Sequence, residues 1–407
     1  MAPRPELRQV DEASYDGFAR NLDRTFGFDY NPDEDTFRPL IEFERAFAHF
    51  DQGTVVSTLG AFSLEMTVPG AVLPCGGTTV VAVAPTHRRR GLLTELMTTH
   101  LAEVRDRGES FAALWASESE IYGRYGYGRA TKSADITIKR QAPTLSRHAP
   151  EPLPVRMIDP EEAKEKVPTF HDRFRTGQPG MFKRSEPWWE HRTFSDLPSR
   201  RSGYTAARWA VVDDRDGGIQ GYARYRTKGV PGDSHPASEM VVWELFASSP
   251  EAWAGLWWYL LNHDLVVEVT ARLRPSEDPI FDLLAGPRRA QLKVTDGLWV
   301  RLIDIPEALE ARSYQSEFHG VIEVHDPMGL SGGSYELEAS PEGAQCRSTD
   351  KDGDIILDIE DLGSIYLGQP GLRRMARVGR LSGDEKSLEA ADLAFGWSPQ
   401  PWCPEVF

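Results

Sequence analysis

A basic turn between a predicted strand and a predicted helix is the part of this sequence best suited to bind a charged ligand. Residues 81–93 read VAVAPTHRRRGLL, an apolar run that stops at a proline and is followed by three arginines, Gly91 and a helical pattern. The first amides of a helix have no intrahelical partner and carry partial positive charge, so such an end binds phosphate. Gly91 allows close approach to the backbone, and the arginines add charge-assisted hydrogen bonds. Because of its place between strand and helix, we favour a phosphate-binding turn over a solvated run of charge.

Three tyrosines stand further along the chain, where residues 117–127 read SESEIYGRYGY. A phenol with a pKa near 10 keeps its proton at neutral pH. It can donate that proton to a leaving group of similar basicity, such as a developing thiolate. Together the two segments predict a pyrophosphate-binding turn and a tyrosine-bearing reaction centre.

The elements that must position these segments alternate between helical and strand patterns. Residues 12–26 form an amphipathic helical pattern with Tyr15, Phe18, Ala19 and Leu22 on one side. We then predict strands at 54–64, 73–84, 111–116 and 135–140, a helix at 92–107 and a helical turn at 119–125. This order indicates a mixed sheet with helices on both faces.

The rest of the chain divides after a segment at 141–154 that is rich in proline and polar residues and is predicted to be a linker. Beyond it we predict helices at 159–175 and 250–262 and strands at 205–212, 219–227 and 238–245. A third part begins near Trp299. It is predicted to contain strands at 320–326, 333–339 and 355–359 and helices at 306–311, 362–367 and 371–377.

The motifs resemble those of the GNAT N-acetyltransferases and, more narrowly, of the Eis (enhanced intracellular survival) family. Arg88, Gly91 and Leu93 occupy the places of the signature Arg/Gln-x-x-Gly-x-Gly/Ala, and Leu93 departs from its last position. The runs VAVAPTHRRRGLL, ASE and IYGRYGYG are closer to the Eis pattern. The likeness continues as DGLWVRLIDIPEALEARSY from Asp296 and as LGSIYLG from Leu362, so it spans most of the chain.

The resemblance implies an α/β (α+β) fold with two GNAT-like mixed-sheet domains in tandem and a C-terminal sterol-carrier-protein-like domain. We expect these domains at 1–145, 146–298 and 299–407. In the second domain Ser248, Ser249 and Pro250 stand where the first has its arginines. We therefore expect a degenerate domain that binds no coenzyme. For the third domain we favour a packing role over lipid transport.

The resemblance also implies the chemistry, with acetyl-CoA as co-substrate and direct transfer to an amine. It gives Tyr122 the role of general acid, with Tyr125 and Tyr127 as competitors, of which Tyr125 is interpreted as packing. It places the carboxylate of the terminal Phe407 near the substrate amine, where it draws off a proton through water. It further implies that the strand splays open, so that the amides of Val81 and Val83 polarise the thioester.

The remaining site predictions follow from the same two segments and from the chain termini. The predicted cofactor-binding residues are Val81, Ala82, Val83, Arg88, Arg89, Arg90, Gly91, Leu92, Leu93 and Ser117. The predicted substrate-binding residues are Phe26, Phe28, Asp29, Tyr30 and Glu405. An aromatic and acidic wall suits a polycation, although each residue of the early loop is equally well explained as ordinary surface.

Composition narrows the class of protein. The 407 residues are 40% hydrophobic and 27% charged, which predicts two or three domains of an ordinary globular protein. The net charge of −16 disfavours a nucleic-acid binder. An acidic protein attracts cationic partners, but we favour solubility as the explanation of the total charge. The sequence has neither an apolar run of the ~18 residues that span a bilayer nor a signal peptide, so we expect a cytoplasmic protein without membrane association.

Metal and disulfide chemistry are not predicted. Cys75, Cys346 and Cys403 are odd in number and far apart, and no HExxH motif occurs. The run STDKDGDIILDIED resembles a calcium-binding EF-hand loop only superficially. Counted from Asp350, it has Ile355 in place of the glycine at the sixth position and Asp361 in place of the glutamate at the twelfth. His87 is interpreted as a capping or packing residue.

The predicted function is thus an acetyl-CoA-dependent N-acetyltransferase of a small cationic amine, either an aminoglycoside-like polyamine or a lysine side chain. A homohexamer is implied by the resemblance. The alternative is a non-catalytic scaffold that senses coenzyme A or binds lipid.

Overall fold

The computed structural model describes residues 4–139, 144–231 and 236–407. Its strands are β1 (Glu6–Gln9), β2 (Phe47–Asp51), β3 (Thr54–Val68), β4 (Ala71–Val83), β5 (Phe111–Trp115), β6 (Gly128–Arg129), β7 (Lys132–Lys139), β8 (Arg156–Ile158), β9 (Arg208–Asp213), β10 (Ile219–Gly229), β11 (Ser238–Ala247), β12 (Val266–Arg274), β13 (Ala290–Asp296), β14 (Leu298–Leu302), β15 (Phe318–His325), β16 (Gly333–Ser340), β17 (Gly343–Thr349), β18 (Ile355–Asp358) and β19 (Leu381–Gly383).

The α-helices lie between these strands, except for the last helix, which follows β19. They are α1 (Tyr15–Phe26), α2 (Leu92–Asp106), α3 (Ser119–Tyr122), α4 (Pro160–Arg175), α5 (Glu186–Trp188), α6 (Pro250–Leu261), α7 (Ile280–Leu283), α8 (Ile305–Ala311), α9 (Ile359–Ile365), α10 (Leu372–Ala376) and α11 (Glu385–Phe395). Among the described residues no helix combines the length and the apolar character needed to cross a bilayer.

The first sheet has the strand order β1-β2-β3-β4-β5-β14-β6. Its strands are antiparallel except at β4 and β5, which run parallel on either side of the crossover helix α2. Helix α1 buries Tyr15, Phe18 and Ala19 as its periodicity predicted. Helix α2 buries its row of leucines and Val104 in the same way. The predicted mixed sheet is therefore present.

The second sheet repeats this plan with the order β13-β7-β12-β11-β10-β9-β8. Its parallel pair is β11 and β12, joined by α6, and the other neighbours are antiparallel. Strand β7 occupies the place here that β14 holds in the first sheet. Each sheet thus contains a strand that lies far along the chain from the other strands of that sheet.

The third sheet has the order β17-β16-β15-β18-β19 and is accompanied by α8 to α11. Contacts between Cα atoms divide the described chain into two compact units. One contains residues up to Thr131 with Gly297–Pro401 and Val406–Phe407, and the other contains Lys132–Asp296 and Trp402–Glu405. The domain limits 1–145, 146–298 and 299–407 stay predictions.

The predicted linker at 141–154 lies partly outside the described residues, as does the last residue of the strand predicted at 135–140. From Thr144 onward the segment is mostly irregular, but it packs against the second sheet. Leu145 forms a bridge with Leu284, and Leu145, Ala149 and Leu153 pack against the core of the second sheet.

Candidate active site

A gap opens between β4 and β5 at the centre of the first sheet. The two strands pair from Gly76 opposite Ala112 to Thr78 opposite Leu114, whereas β4 itself continues to Val83. On the other side of β4 the register with β3 shifts, and Val80 adopts a φ of 48°. Positive φ is rare for a β-branched residue and marks a bulge. The bulge lies just beyond Thr78, where the pairing of β4 with β5 ends.

Backbone amides of β4 face this gap. The N–H of Ala84 donates to the carbonyl of Val56 on β3 at 2.9 Å. Because amide directions alternate along a strand, the N–H groups of Val81 and Val83 point to the opposite side, where β5 has diverged. Donors of this kind can stabilise the negative charge that develops on a carbonyl oxygen. The end of the pairing at Thr78 is compatible with the splay that the family resemblance implies.

The basic turn joins this gap to an uncapped helix. Gly91, with a φ of 80°, precedes α2, and its position provides no side-chain cap for the first amides of the helix. A Cβ built on Gly91 meets no atom within 4 Å, so the space above its backbone is open to a ligand. Arg88, Arg89 and Arg90 are exposed. Together these features fit a phosphate group.

His87 anchors the turn. Its Nε2 atom lies 2.9 Å from Oδ2 of Asp51 at the end of β2, and its Nδ1 atom lies 2.8 Å from the hydroxyl of Thr86. These contacts fit the predicted packing role.

A cleft of about 570 Å³ runs from the gap past the basic turn to the tyrosines. Of the predicted residues, its lining contains Phe26, Val81, Ala82, Val83, Arg88, Arg89, Gly91, Leu92, Leu93, Ser117 and Tyr122. Arg90 is exposed beside it. The lining also contains residues that were not predicted, namely Thr25, His87, Thr94, Glu118, Ile121, Arg124 and Tyr125. Arg124 lies between Tyr122 and Tyr125 in the sequence, so its positive charge could have indicated a further phosphate-binding residue.

Tyr122 meets the demands of a proton donor. Its side chain is 5% exposed at the end of α3 and lines the cleft. Burial raises the pKa of Tyr122 to about 12, because the phenolate loses hydration. Interaction with the nearby side chain of Ser117 opposes this rise in the pKa of Tyr122 but does not cancel it. The proton is therefore retained throughout the physiological pH range.

The two competing tyrosines differ from each other. The hydroxyl of the fully buried Tyr127 lies 2.9 Å from Oγ1 of Thr78, which in turn lies 2.7 Å from Nε2 of His100. Its hydrogen bonding is thus committed to the interior. Tyr125 lines the cleft, and its hydroxyl lies 3.3 Å from Oγ1 of Thr94 on α2. Tyr125 therefore remains a competitor on position.

The chain terminus lies against β4. A Cβ built on Gly77 would stand 3.4 Å from Cε2 of Phe407. The side chain of the next residue, Thr78, points to His100 on α2. Since side chains alternate across a strand, the ring of Phe407 covers the face of β4 opposite α2, beside the start of the gap.

Comparison with known proteins identifies the fold and the family. Residues 6–130 and 180–302 each match a model of an acetyltransferase (GNAT) domain, and residues 305–404 match a model of a sterol carrier protein domain. N-acetyltransferase Eis of Mycobacterium tuberculosis is 34% identical over 342 residues, which cover 82% of this chain and 81% of that protein. This chain belongs to the Eis family of GNAT N-acetyltransferases.

Further relatives agree with this family. An uncharacterized N-acetyltransferase of Streptomyces griseus is 36% identical over 375 residues, which cover 90% of each chain. The crystal structure of Eis1 from Mycobacterium abscessus is 30% identical with a TM-score of 0.85, over 99% of this chain and 100% of that one. The predicted tandem GNAT domains, the sterol-carrier-protein-like domain and the acyltransferase class are confirmed. Acetyl-CoA use follows from the GNAT fold.

The predicted acceptor residues of the early loop are not gathered at one place. Phe26 lines the cleft, whereas Phe28 is 69% exposed and Asp29 is exposed as well. Tyr30 packs against the α1 region, with its hydroxyl 3.2 Å from a carboxylate oxygen of Asp16. The geometry therefore supports Phe26 as a lining residue of the cleft.

Glu405 requires a correction, because its carboxylate has partners of its own. It is buried and accepts a hydrogen bond from Nε of Arg184 at 3.0 Å, and it lies 3.1 Å from Nε2 of His171. A carboxylate paired in this way does not offer its charge to an acceptor amine. We therefore assign Glu405 a structural contact in place of the expected acceptor contact.

Proposed function

We propose that this chain transfers the acetyl group of acetyl-CoA to an amine of a small cationic acceptor, either an aminoglycoside-like polyamine or a lysine side chain. The observation that carries the proposal is the gap between β4 and β5, which opens beside an uncapped helix and three exposed arginines. Bound acetyl-CoA supplies the acetyl thioester.

The donor is held by the basic turn. The open backbone at Gly91 and the side chains of Arg88 and Arg89 bind the pyrophosphate, while Arg90 adds charge beside the cleft. The amides of Val81 and Val83 donate to the thioester oxygen as it gains negative charge. Ser117 lines the same cleft as Tyr122.

Tyr122 acts as the general acid. Its buried phenol is neutral at the working pH and lies in the cleft, so it can protonate the thiolate that leaves coenzyme A. Tyr127 gives its hydroxyl to Thr78 and so supports the ring packing around Tyr122 instead.

Phe407 provides negative charge on the acceptor side. Its ring lies over β4, and its terminal carboxylate acts on the substrate amine through water and as an electrostatic anchor for a polycation. Phe26 contributes an aromatic surface, and Phe28, Asp29 and Tyr30 remain predicted acceptor contacts.

An amine panel tests the proposal. Release of coenzyme A thiol is followed with aminoglycosides, spermine and a lysine peptide, and acetyl-CoA binding is titrated in parallel. We expect turnover with at least one polyamine. Tight acetyl-CoA binding without turnover of any amine would favour the scaffold instead.

A homohexamer and a cytoplasmic location belong to the same proposal. They are supported by the family and by the sequence, respectively. Sedimentation velocity of the purified chain and fractionation of the cells that contain it test the two separately.

A further inference from the structure

The second sheet opens a gap at the place that corresponds to the cleft of the first sheet. Strands β11 and β12 pair from Ser238 opposite Val266 to Val242 opposite Ala271, whereas β11 continues to Ala247. The register between β10 and β11 also shifts near this point. Both parallel pairs thus diverge halfway along the strand that precedes the crossover helix.

The helix after this second gap is closed to an anion. The side chain of Ser249 caps α6 by accepting from the N–H of Ala252 at 3.2 Å. Helix α2 has no such cap at Gly91. One amide that would face a phosphate is therefore already satisfied in the second sheet.

The second gap is filled by two side chains of the unit itself. Nη1 of Arg274 donates to the carbonyl of Leu245 on β11 at 2.6 Å, and the indole N–H of Trp402 donates to the carbonyl of Leu273 on β12 at 2.7 Å. The Arg274 guanidinium lies 4.9 Å from the Trp402 ring centroid. The ring of Trp402 also packs against Phe246 at 5.4 Å between centroids. Carbonyls on both sides of the gap are thus satisfied without a ligand.

The segment that carries Trp402 is held along its length. The backbone N–H of Trp402 donates to the carbonyl of Pro179 at 2.8 Å. Residues Trp402–Glu405 are all buried, and the thiol of Cys403 lies 3.3 Å from the carbonyl oxygen of Glu405. We refer to Trp402–Glu405 as the tail anchor.

A buried charge cluster holds the end of the tail anchor. Arg184 contacts the carboxylates of Glu405 and Glu244 at 3.0 and 3.2 Å, and its side chain is 3% exposed. Tyr222 donates to Glu244 at 2.6 Å. The guanidinium of Arg184 also lies 4.6 Å from a ring centroid of Trp189. Because Arg184 is shared, removal of the Glu405 charge leaves a buried cation with one carboxylate fewer.

The protonation of the cluster agrees with these contacts. Burial opposes ionisation of Glu244, but Arg184 and Arg224 outweigh it and lower the pKa of Glu244 to about 2. Burial lowers the pKa of His171, so its ring is neutral and its Nε2–H can donate to Glu405. The carboxylate of Glu405 is therefore held by one cation, Arg184, and by a neutral donor, His171.

We propose that the tail anchor takes the place of a ligand in the second GNAT domain. It fills the gap between β11 and β12, which corresponds to the gap that is proposed to hold acetyl-CoA in the first domain, and it thereby positions the end of the chain. Val406 and Phe407 follow Glu405 directly, and two residues reach at most ~7 Å. A fixed Glu405 thus restricts where the terminal carboxylate can lie. The consequence for catalysis rests on the proposed role of Phe407, whereas the anchoring itself does not.

Alkylation of Cys403 in the full-length chain tests the anchoring. The rate of iodoacetamide labelling is measured by peptide mass spectrometry for the native chain, for Glu405→Gln and for Glu385→Gln. Glu385 is an exposed carboxylate at the start of α11 and serves as the matched control. The buried thiols of Cys75 and Cys346 report on global unfolding.

We expect Glu405→Gln to accelerate labelling of Cys403 by about tenfold or more, with Cys75, Cys346 and the Glu385→Gln chain unchanged. Labelling of Cys403 at the native rate would overturn the proposal. Equal acceleration at all three cysteines would also overturn it, since Glu405 would then support the whole fold and not the tail.

Activity measured on the same variants separates this proposal from the function proposed above. If Glu405→Gln releases Cys403 and raises KM for a polyamine while the Kd for acetyl-CoA stays constant, both stand. If Cys403 is released but kcat/KM is unchanged, the anchoring stands and the catalytic role of Phe407 fails. If Cys403 stays protected, the anchoring fails, and the role of Phe407 is judged by modification of the terminus alone.

Discussion

The rings of Tyr122 and Tyr127 meet edge to face, with centroids 6.3 Å apart and planes at 75°. Both tyrosines are buried, but their surroundings differ. The hydroxyl of Tyr127 bonds with Thr78 in the interior, whereas Tyr122 lines the cleft together with Ser117. One ring therefore supports the other, and Tyr122 is left to exchange a proton with a ligand.

Replacing single hydroxyls tests this division of roles. Tyr122→Phe keeps the ring and deletes the donor, so we expect kcat to fall by ~10²-fold or more, the usual scale of general acid catalysis, with the Kd for acetyl-CoA nearly unchanged. Tyr125→Phe is the matched control, because Tyr125 lines the same cleft, and we expect a mild effect. A larger loss for Tyr125→Phe than for Tyr122→Phe would reverse the assignment.

The pH dependence of kcat follows from the raised pKa of Tyr122. An acid with a pKa of about 12 is protonated, and so active as a donor, at all lower pH values. We therefore expect no fall in kcat that depends on Tyr122 between pH 7 and about 10, where an unperturbed tyrosine would already lose its proton. The profile is measured at saturation with both substrates. A declining limb below pH 10 that disappears in Tyr122→Phe would contradict this expectation.

Gly91→Val tests the open backbone of the donor site. Valine at a φ of 80° is strained, and its side chain would fill the space above the turn. We expect acetyl-CoA affinity to fall ~10-fold or more, which corresponds to a loss of about 1.4 kcal/mol of binding free energy or more. Gly108→Val is the control, because Gly108 has a φ of 72°, open surroundings and a place at the other end of α2. Equal losses in both variants would indicate general strain and not a blocked site.

The arginines of the cleft are tested by loss of charge. A hydrogen bond to a charged group contributes roughly 1.5–3 kcal/mol, so Arg88→Ala should weaken acetyl-CoA binding ~10-fold or more. Arg124→Ala, on the tyrosine side of the cleft, should also weaken it. Arg105→Ala removes an exposed charge near the end of α2 and should leave the Kd unchanged. Calorimetric titration of the three variants checks this, and an unchanged Kd for Arg88→Ala would remove that residue from the site.

Modification of the C-terminus tests Phe407. Amidation, or a few residues added after Phe407, removes or displaces the carboxylate without changing Tyr122. We expect activity to collapse, with a strong rise in KM for polyamines, while acetyl-CoA still binds and the melting temperature is kept. The same residues added at the N-terminus are the control. Full kcat/KM with an extended C-terminus would limit Phe407 to a packing role against Gly77.

Local patterns predicted the elements that build the cleft. The apolar periodicity of α2, the β-branched run of β4 and the glycine before the helix fall where the structure has them. These features could be predicted because the periodicity of a helix or strand depends on residues that are close in the sequence. The cofactor residues of the basic turn could be named from sequence for the same reason.

Long-range pairings were not predictable in this way. Nothing in the residues of β7 or β14 tells which sheet each strand joins, because the pairing depends on partners that are distant in the sequence. The positive φ of Val80 could not be predicted from a β-branched residue. Elements that were not predicted include β8, β12, β13, β17, β19 and α11. Of these, β8 and β19 are only three residues long and β17 is largely polar. The burial of Trp402 and Glu405 depends on partners more than a hundred residues away.

Product analysis with a polyamine acceptor determines whether the chain transfers an acetyl group from acetyl-CoA to an amine. The purified chain is incubated with acetyl-CoA and an aminoglycoside, and free coenzyme A and N-acetylated acceptor are quantified together, with Tyr122→Phe as the matched variant. We expect the native chain to form equal amounts of free coenzyme A and N-acetylated acceptor, and we expect Tyr122→Phe to form both at a rate ~10²-fold lower. Tight binding of acetyl-CoA with no acetylated amine, or equal rates from the two chains, would contradict it.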